Sequence, residues 1–112
     1  TDRNLDLLRR AKAAGYEIRS VFVLTASASL NVARVRARVA AGGHSVPEAK
    51  IRARHTRSLT NLPELVTLSD IAIVVDNTTD DPVQIFAKDQ SGFFIEPTPD
   101  WPHDRILRLI RP

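Results

Sequence analysis

The chain has 112 residues, which is enough for one domain and short for two, and its 43% hydrophobic and 26% charged residues are typical of an ordinary globular protein. The absence of Cys excludes disulfides, thiolate metal sites and Cys nucleophiles. An aromatic share of 5% disfavours a base-stacking nucleic-acid platform, and no apolar run is long enough to span a membrane. We therefore expect a cytoplasmic protein without a membrane partner, whereas the net charge of +3 says little by itself.

Apolar periodicity and the Gly and Pro positions divide the chain into alternating helices and strands. The elements predicted in chain order are a helix over 4–14, a strand over 18–24, a helix from a cap at Ser27 or Ser29 to about 41, a helix whose first turn contains Pro47, a short helix over 63–68, a strand over 71–75, two edge strands over 83–87 and 93–95, and a helix over 103–110.

Two of the predicted strands, 18–24 and 71–75, contain uninterrupted apolar runs, which are typical of strands covered on both faces in a parallel sheet. The alternation of elements predicts an α/β fold with a partial parallel sheet flanked by helices. Two such strands are too few for a complete parallel sheet, and the chain does not begin with Met. We therefore expect 1–112 to be a single domain or domain fragment, either the C-terminal part of a larger α/β domain or a chain that completes itself by oligomerising.

Basic residues are concentrated between positions 34 and 57, where seven bases accompany one acid, whereas 58–100 contains eight acids and one base. The segment 26–61 is predicted to be a helical, Arg-rich lid with a break at Gly42-Gly43. Arg34 and Arg38 share one helix face, and Arg54 lies on the next helix. Guanidinium groups bind phosphate oxygens bidentately, so the pattern favours a phosphate-binding lid. Solvated helix faces are the alternative, and a nucleic-acid surface is disfavoured by the acidic second half.

The string RVxxRVxxGGHxVPxxxIxxR, from Arg34 to Arg54, is followed by Asn61-Leu62 and Asp76-Asn77. This combination resembles the second half of the zeta-toxin-like P-loop kinases, over roughly 5–78, while the predicted tail helix within 97–112 resembles the family only loosely. The resemblance implies a P-loop kinase fold, ATP as phosphoryl donor and a Mg²⁺ ion, with a UDP-activated N-acetyl amino sugar as the acceptor of the zeta toxins. It implies that Arg38 and Arg54 are catalytic and contact the ATP phosphates, with Arg34 and His44 as further cofactor-binding residues.

The chain departs from the family in one large respect, because it lacks GxxxxGK[ST], the turn that cradles phosphate, and with it the upstream catalytic Asp. We therefore expect the C-terminal portion of an ATP-dependent kinase that phosphorylates a hydroxyl of a small or nucleotide-sugar acceptor, and no activity from this fragment alone. The alternative is a non-enzymatic, truncated relative that acts as an oligomeric or partner-binding module. An antitoxin or a second copy of the chain would be its partner.

The remaining candidates are three His and one Asp. His44 follows the glycine break and either touches phosphate or stabilises the turn. His55 lies on an apolar stripe and is predicted to be a packed boundary residue, and His103 is predicted to be a helix N-terminal feature. Their separation does not suit a zinc site, so no metal ligands are assigned in the chain. Asp76 follows a buried strand, where α/β folds place their ligands.

Overall fold

The computed structural model describes residues 2–111, which form an α/β fold with a four-stranded mixed sheet flanked by helices. The elements in chain order are α1 (Asp2–Ala13), β1 (Arg19–Leu24), α2 (Ala28–Ala40), α3 (Glu48–Leu68), β2 (Ile71–Asp76), β3 (Val83–Asp89), β4 (Gly92–Ile95) and α4 (His103–Ile110). Among these helices, none combines the length and the apolar character that crossing a bilayer requires.

The sheet has the order β1-β2-β3-β4, in which β1 and β2 are parallel and the other two pairs are antiparallel. The prediction of a parallel sheet is therefore correct for one pair of strands only. The physical reason is the six-residue connection from β2 to β3, since a parallel return needs a crossover of about a dozen residues or more. The prediction that 83–87 is an edge strand is also wrong, because β4 pairs with its outer side.

The helices α3 and α4 cover one face of the sheet, and α1 and α2 pack against α3. Phe22 and Leu24 of β1 and Val74 of β2 point towards this face, and Val74 is fully buried. The core that forms here takes residues from both layers: Leu24, Leu62, Val66, Ala72, Val74, Ile85, Phe86, Trp101, Ile106 and Leu109. Both α3 and α4 therefore anchor the sheet from the same side.

The opposite face of the sheet is bare in the part of the chain that the structure describes. Val21 and Val23 are 66% and 64% exposed, and Phe94 on β4 is 60% exposed. The register aligns Val21 with Ile73, Ile73 with Ala87 and Ala87 with Phe94, which makes one apolar row across all four strands. The prediction that 18–24 is covered on both faces is thus wrong for residues 2–111, because the helices that flank β1 pack on one side.

Pro63 lies inside α3, which is one continuous helix of 21 residues. The prediction of a separate short helix from 63 is wrong. Proline removes one backbone hydrogen bond, but Leu62 and Val66 are buried on either side of it, and tertiary packing supplies most of the stability of a helix in a protein. The Arg-rich segment 26–61 consequently does not end at a structural boundary, because α3 continues past residue 61 to Leu68 and its last turns pack in the core.

The C-terminal tail is tied to the core by Trp101, which is fully buried. Thr98 and Trp101 exchange backbone hydrogen bonds of 3.0 and 3.1 Å, and this turn leads into α4. The helix occupies the predicted residues, 103–110, and buries Ile106 and Leu109. Pro112, the last residue of the predicted tail, lies outside the described residues.

Candidate functional site

The site is built on the two loops that follow the parallel strands. The Oγ of Ser27 accepts a hydrogen bond from the backbone N–H of Leu30 at 3.3 Å and so caps α2, as the sequence predicts. The backbone N–H of Ala26 donates to Thr78 Oγ1 at 2.9 Å, which joins this loop to the loop after β2. The carboxyl ends of adjacent parallel strands are where ligands bind in open α/β sheets.

Three predicted arginines surround one cavity at this end of the sheet. The cavity has a volume of about 370 Å³. We call it the arginine basin, and its lining residues are Asn31, Arg34, Val35, Arg38, Val46, Ile51, Arg54 and Asn77. Arg34 and Arg38 come from α2 and Arg54 from α3, so the packing of these two helices brings the three side chains to a single place.

The break between α2 and α3 sets this packing. Gly42 has a φ of 100°, a left-handed conformation that favours glycine, and it follows the last turn of α2. The N–H of Gly43 donates to the Arg38 carbonyl at 2.7 Å. The chain then turns back, and Val32 and Ile51 are buried where the two helices meet. The arginines of α2 and α3 therefore face a shared space.

The positive charge of the basin is not neutralised within the described chain. Arg34 is half-buried, and its Nη2 donates to the Thr78 carbonyl at 3.1 Å. Arg38 and Arg54 are exposed, and none of the ion pairs within residues 4–111 includes any of the three. Arg36 contrasts with them, because it pairs with Glu48 at 2.8 Å. Three uncompensated guanidinium groups make a local positive potential that attracts anions.

Asp76 has a structural role at the edge of the basin. It is 6% exposed, and its Oδ1 accepts hydrogen bonds from the Thr78 N–H at 3.1 Å and from the Thr78 hydroxyl. The N–H of Asn77 donates to the Leu24 carbonyl at 2.8 Å. Asp76 thus fixes the loop that places Asn77 in the basin and the Thr78 carbonyl against Arg34, without lining the cavity itself.

The three His lie apart from the arginines. His44 is exposed in the connection between α2 and α3 and does not line the basin, so the structure does not bring it together with Arg34, Arg38 and Arg54. His55 is half-buried, as predicted, with its Nε2 at 3.1 Å from the Thr25 carbonyl oxygen. His103 is the first residue of α4, which also agrees with the prediction.

Asn31 and Asn77 are lining residues to which the sequence analysis assigned no role, although Asn77 belongs to the Asp76-Asn77 pair of the resemblance. Asn31 lies one turn before Arg34 on α2, and its Oδ1 accepts a hydrogen bond from the Thr25 hydroxyl at 2.7 Å. Asn77 follows directly on Asp76. Carboxamides add neutral donors and acceptors to a cationic cavity, so the basin can both attract and orient a phosphate group.

A second cavity, of about 440 Å³, lies beside β1, and we call it the β1 slot. It is lined by the four consecutive residues 21–24 of β1 and by α3, without a residue of β2, so it runs along the outer edge of the sheet. The side chains that α3 contributes are Arg54, Arg57, Ser58, Leu59, Asn61, Leu62 and Leu65. Arg54 lines both cavities.

The basin is lined by basic and neutral side chains, which suits an anion such as phosphate and offers no carboxylate to a Mg²⁺ ion. Among the side chains of residues 4–111, no group of three or more His, Asp or Glu is placed to hold a metal, and the buried carboxylate of Asp76 is engaged by Thr78. No protein-family model matches the sequence, and neither a curated protein nor a solved structure is significantly similar to this chain.

Proposed function

We propose that this chain is the C-terminal, arginine-bearing portion of an ATP-dependent phosphotransferase of the zeta-toxin-like kind. The reaction would transfer the γ-phosphoryl group of ATP to a hydroxyl of a small or nucleotide-sugar acceptor, with ADP as the leaving group. The observation that carries the proposal is the arginine basin, in which Arg34, Arg38 and Arg54 converge at the carboxyl ends of two parallel strands.

The contacts of the three arginines indicate different roles in phosphate binding. Arg34 is held by the Thr78 carbonyl, so it is positioned before a ligand arrives. Arg38 and Arg54 are exposed and come from different helices, so they can reach phosphate oxygens from two sides. In phosphoryl transfer the negative charge spreads over the oxygens of the transferring group, and fixed guanidinium groups stabilise it.

The described chain supplies only part of what the reaction needs. The Gly-rich phosphate turn and its Lys are absent from the sequence, and the basin contains no carboxylate to accept the proton of the hydroxyl. We therefore expect this chain to bind phosphate groups without turning ATP over. The Mg²⁺ ion that the family resemblance implies would have to be held by groups other than those of the basin.

Titration calorimetry at low ionic strength, with ATP and with inorganic triphosphate, tests the proposal. Loss of one charged hydrogen bond to phosphate costs about 1.5–3 kcal/mol, so Arg38→Ala and Arg54→Ala should each weaken binding by roughly tenfold to a hundredfold. Arg36→Ala is the matched control, because Arg36 lies on the same helix but pairs with Glu48. No binding of either ligand, or an equal loss in all three variants, would overturn the proposal.

The alternative, a non-enzymatic interaction module, is favoured by the bare face of the sheet. Contiguous exposed apolar surface marks interaction sites in soluble proteins, and Val21, Val23 and Phe94 are each at least 60% exposed. A chain that self-associates at micromolar concentration in sedimentation analysis and binds no triphosphate would support this alternative. The antitoxin partner and the cytoplasmic location stay predictions.

A further inference from the structure

The outer edge of β1 carries unpaired backbone groups within residues 2–111. The carbonyl of Ile18 accepts from Asp70 and Ile71, and the carbonyl of Leu24 accepts from Asn77, so these two residues turn towards β2. Backbone groups alternate in direction along a strand. The N–H and C=O groups of Arg19, Val21 and Val23 therefore point away from β2, along the β1 slot.

The slot beside this edge has the two further parts that a strand-binding groove needs. Its inner wall is apolar, with Phe22 from β1 and Leu59, Leu62 and Leu65 from α3. The slot has a volume of about 440 Å³. An extended segment beside β1 could thus bond to the free backbone groups and place alternate side chains against the apolar wall.

The polar groups of the slot specify the charge of the occupant. Arg54 and Arg57 both line it, neither belongs to an ion pair among the side chains of residues 4–111, and no acidic residue of that part of the chain lines it. The Nδ2 of Asn61 is buried there without an acceptor in the described chain. This atom has almost no accessible surface, so Arg54 and Arg57, and not Asn61, set the charge preference of the slot.

We propose that the β1 slot binds an extended polypeptide segment of a partner, which adds a strand beside β1 and places an acidic side chain against Arg54 and Arg57. Main-chain hydrogen bonds would supply affinity, and the apolar wall with the two arginines would supply specificity. A second copy of the chain fits less well, because its own edge strand, RSVFVL, has Arg19 and no acid to offer to these arginines. The proposal does not depend on phosphate binding in the arginine basin.

Fluorescence anisotropy with three labelled peptides tests it. The probe is Ac-TVTVTVEE-amide, the charge control replaces both Glu with Lys, and the backbone control is N-methylated at alternate residues. We expect the acidic probe to bind at least about tenfold more tightly than the Lys peptide, since two exposed charge contacts change from attractive to repulsive. The N-methylated peptide should not bind.

Two variants connect that binding to the slot. Val21→Pro removes one outward N–H without breaking a bond to β2, and an edge strand tolerates proline at such a position. Arg57→Glu should abolish the preference for Glu over Lys peptides, while ATP binding stays unchanged because Arg57 does not line the basin. Arg38→Ala should weaken ATP binding and leave the preference for Glu peptides unchanged, because Arg38 lines the basin and not the slot. Failure of one proposal therefore leaves the other intact.

Three results would overturn the inference. The first is equal binding of the acidic and Lys peptides. The second is a lack of binding of every peptide to a protein whose Trp101 fluorescence shows an intact fold. Alternatively, sedimentation could show a dimer that Val21→Pro dissociates, in which case the slot is occupied by a second copy. If Val21→Pro does not fold, the Arg57→Glu variant and the N-methylated peptide still decide the outcome.

Discussion

Replacing Arg105 with Ala tests how α4 holds the loop that precedes α2. The guanidinium carbon lies 3.9 Å from the centroid of the Trp101 ring, and Nη2 donates to the Ala26 carbonyl at 2.8 Å. The cation–π contact is worth about 1 kcal/mol, and a charged hydrogen bond to a partly buried carbonyl about 1.5–3 kcal/mol. Because Arg105 is partly exposed, we expect the free energy of unfolding to fall by about 2–3 kcal/mol, at the lower end of this sum.

Urea titration followed by the fluorescence of Trp101, the single Trp of the chain, measures this change, with far-ultraviolet circular dichroism as a second probe. Arg108→Ala is the control, since Arg108 is exposed on the same helix and makes no hydrogen bond within the described chain; its effect should stay within about 0.5 kcal/mol. Arg105→Lys keeps the cation but not the planar fork, so an intermediate loss is expected. An Arg105→Ala variant as stable as the wild type would refute the reasoning.

The hydrogen bond from Lys12 lowers the pKa of the Asp70 carboxyl group, so its contribution to stability is present above about pH 4 and is lost as the pH falls through the lowered pKa. In urea titrations, the free energy of unfolding should fall less between pH 7 and 2 for Asp70→Asn than for the wild type; an equal fall would contradict this. Lys88→Met should reduce the free energy of unfolding by about 1.5–3 kcal/mol in the same assay at pH 7, because the ammonium group donates at 2.8 and 2.9 Å to two carbonyls at the end of α3. Gly43→Ala should weaken triphosphate binding in calorimetry, because its Cβ would come within 2.8 Å of the Arg38 carbonyl oxygen and displace the last turn of α2; wild-type affinity would argue against that displacement.

Local signals were sufficient for most of the elements. The apolar run 71–75 predicted the position of β2, and the proline cluster before α4 predicted where that helix begins. Both signals succeeded because the interactions that decide them are close in sequence. The expectation that a new helix begins at Pro63 was wrong, because burial of the flanking residues outweighs the one backbone hydrogen bond that proline removes. The direction of β3 could have been predicted from the short connection after β2, whose length does not permit a crossover.

The site was only partly accessible from the sequence. Helical periodicity places Arg34 and Arg38 on one face, but their approach to Arg54 depends on the turn at Gly42-Gly43 and on the packing of α2 against α3. His44 was grouped with these arginines because it is adjacent to the turn, and the turn directs it to solvent. Asn77 belongs to the Asp76-Asn77 pair of the resemblance, but its place in the cavity could not be predicted, since that place comes from the loop that Asp76 fixes.

The mixed sheet also has a consequence for the order of folding. The strands β2, β3 and β4 form a meander with short connections, so their pairing closes small loops and can begin early. The contact of Ile18 with Asp70 spans 52 residues and requires α2 and α3 to be in place. Loop closure of this length costs entropy before any bond is gained. We expect β1 to join the sheet last and to open first, so the N–H groups that it bonds to β2 should exchange with solvent faster than those between β2 and β3.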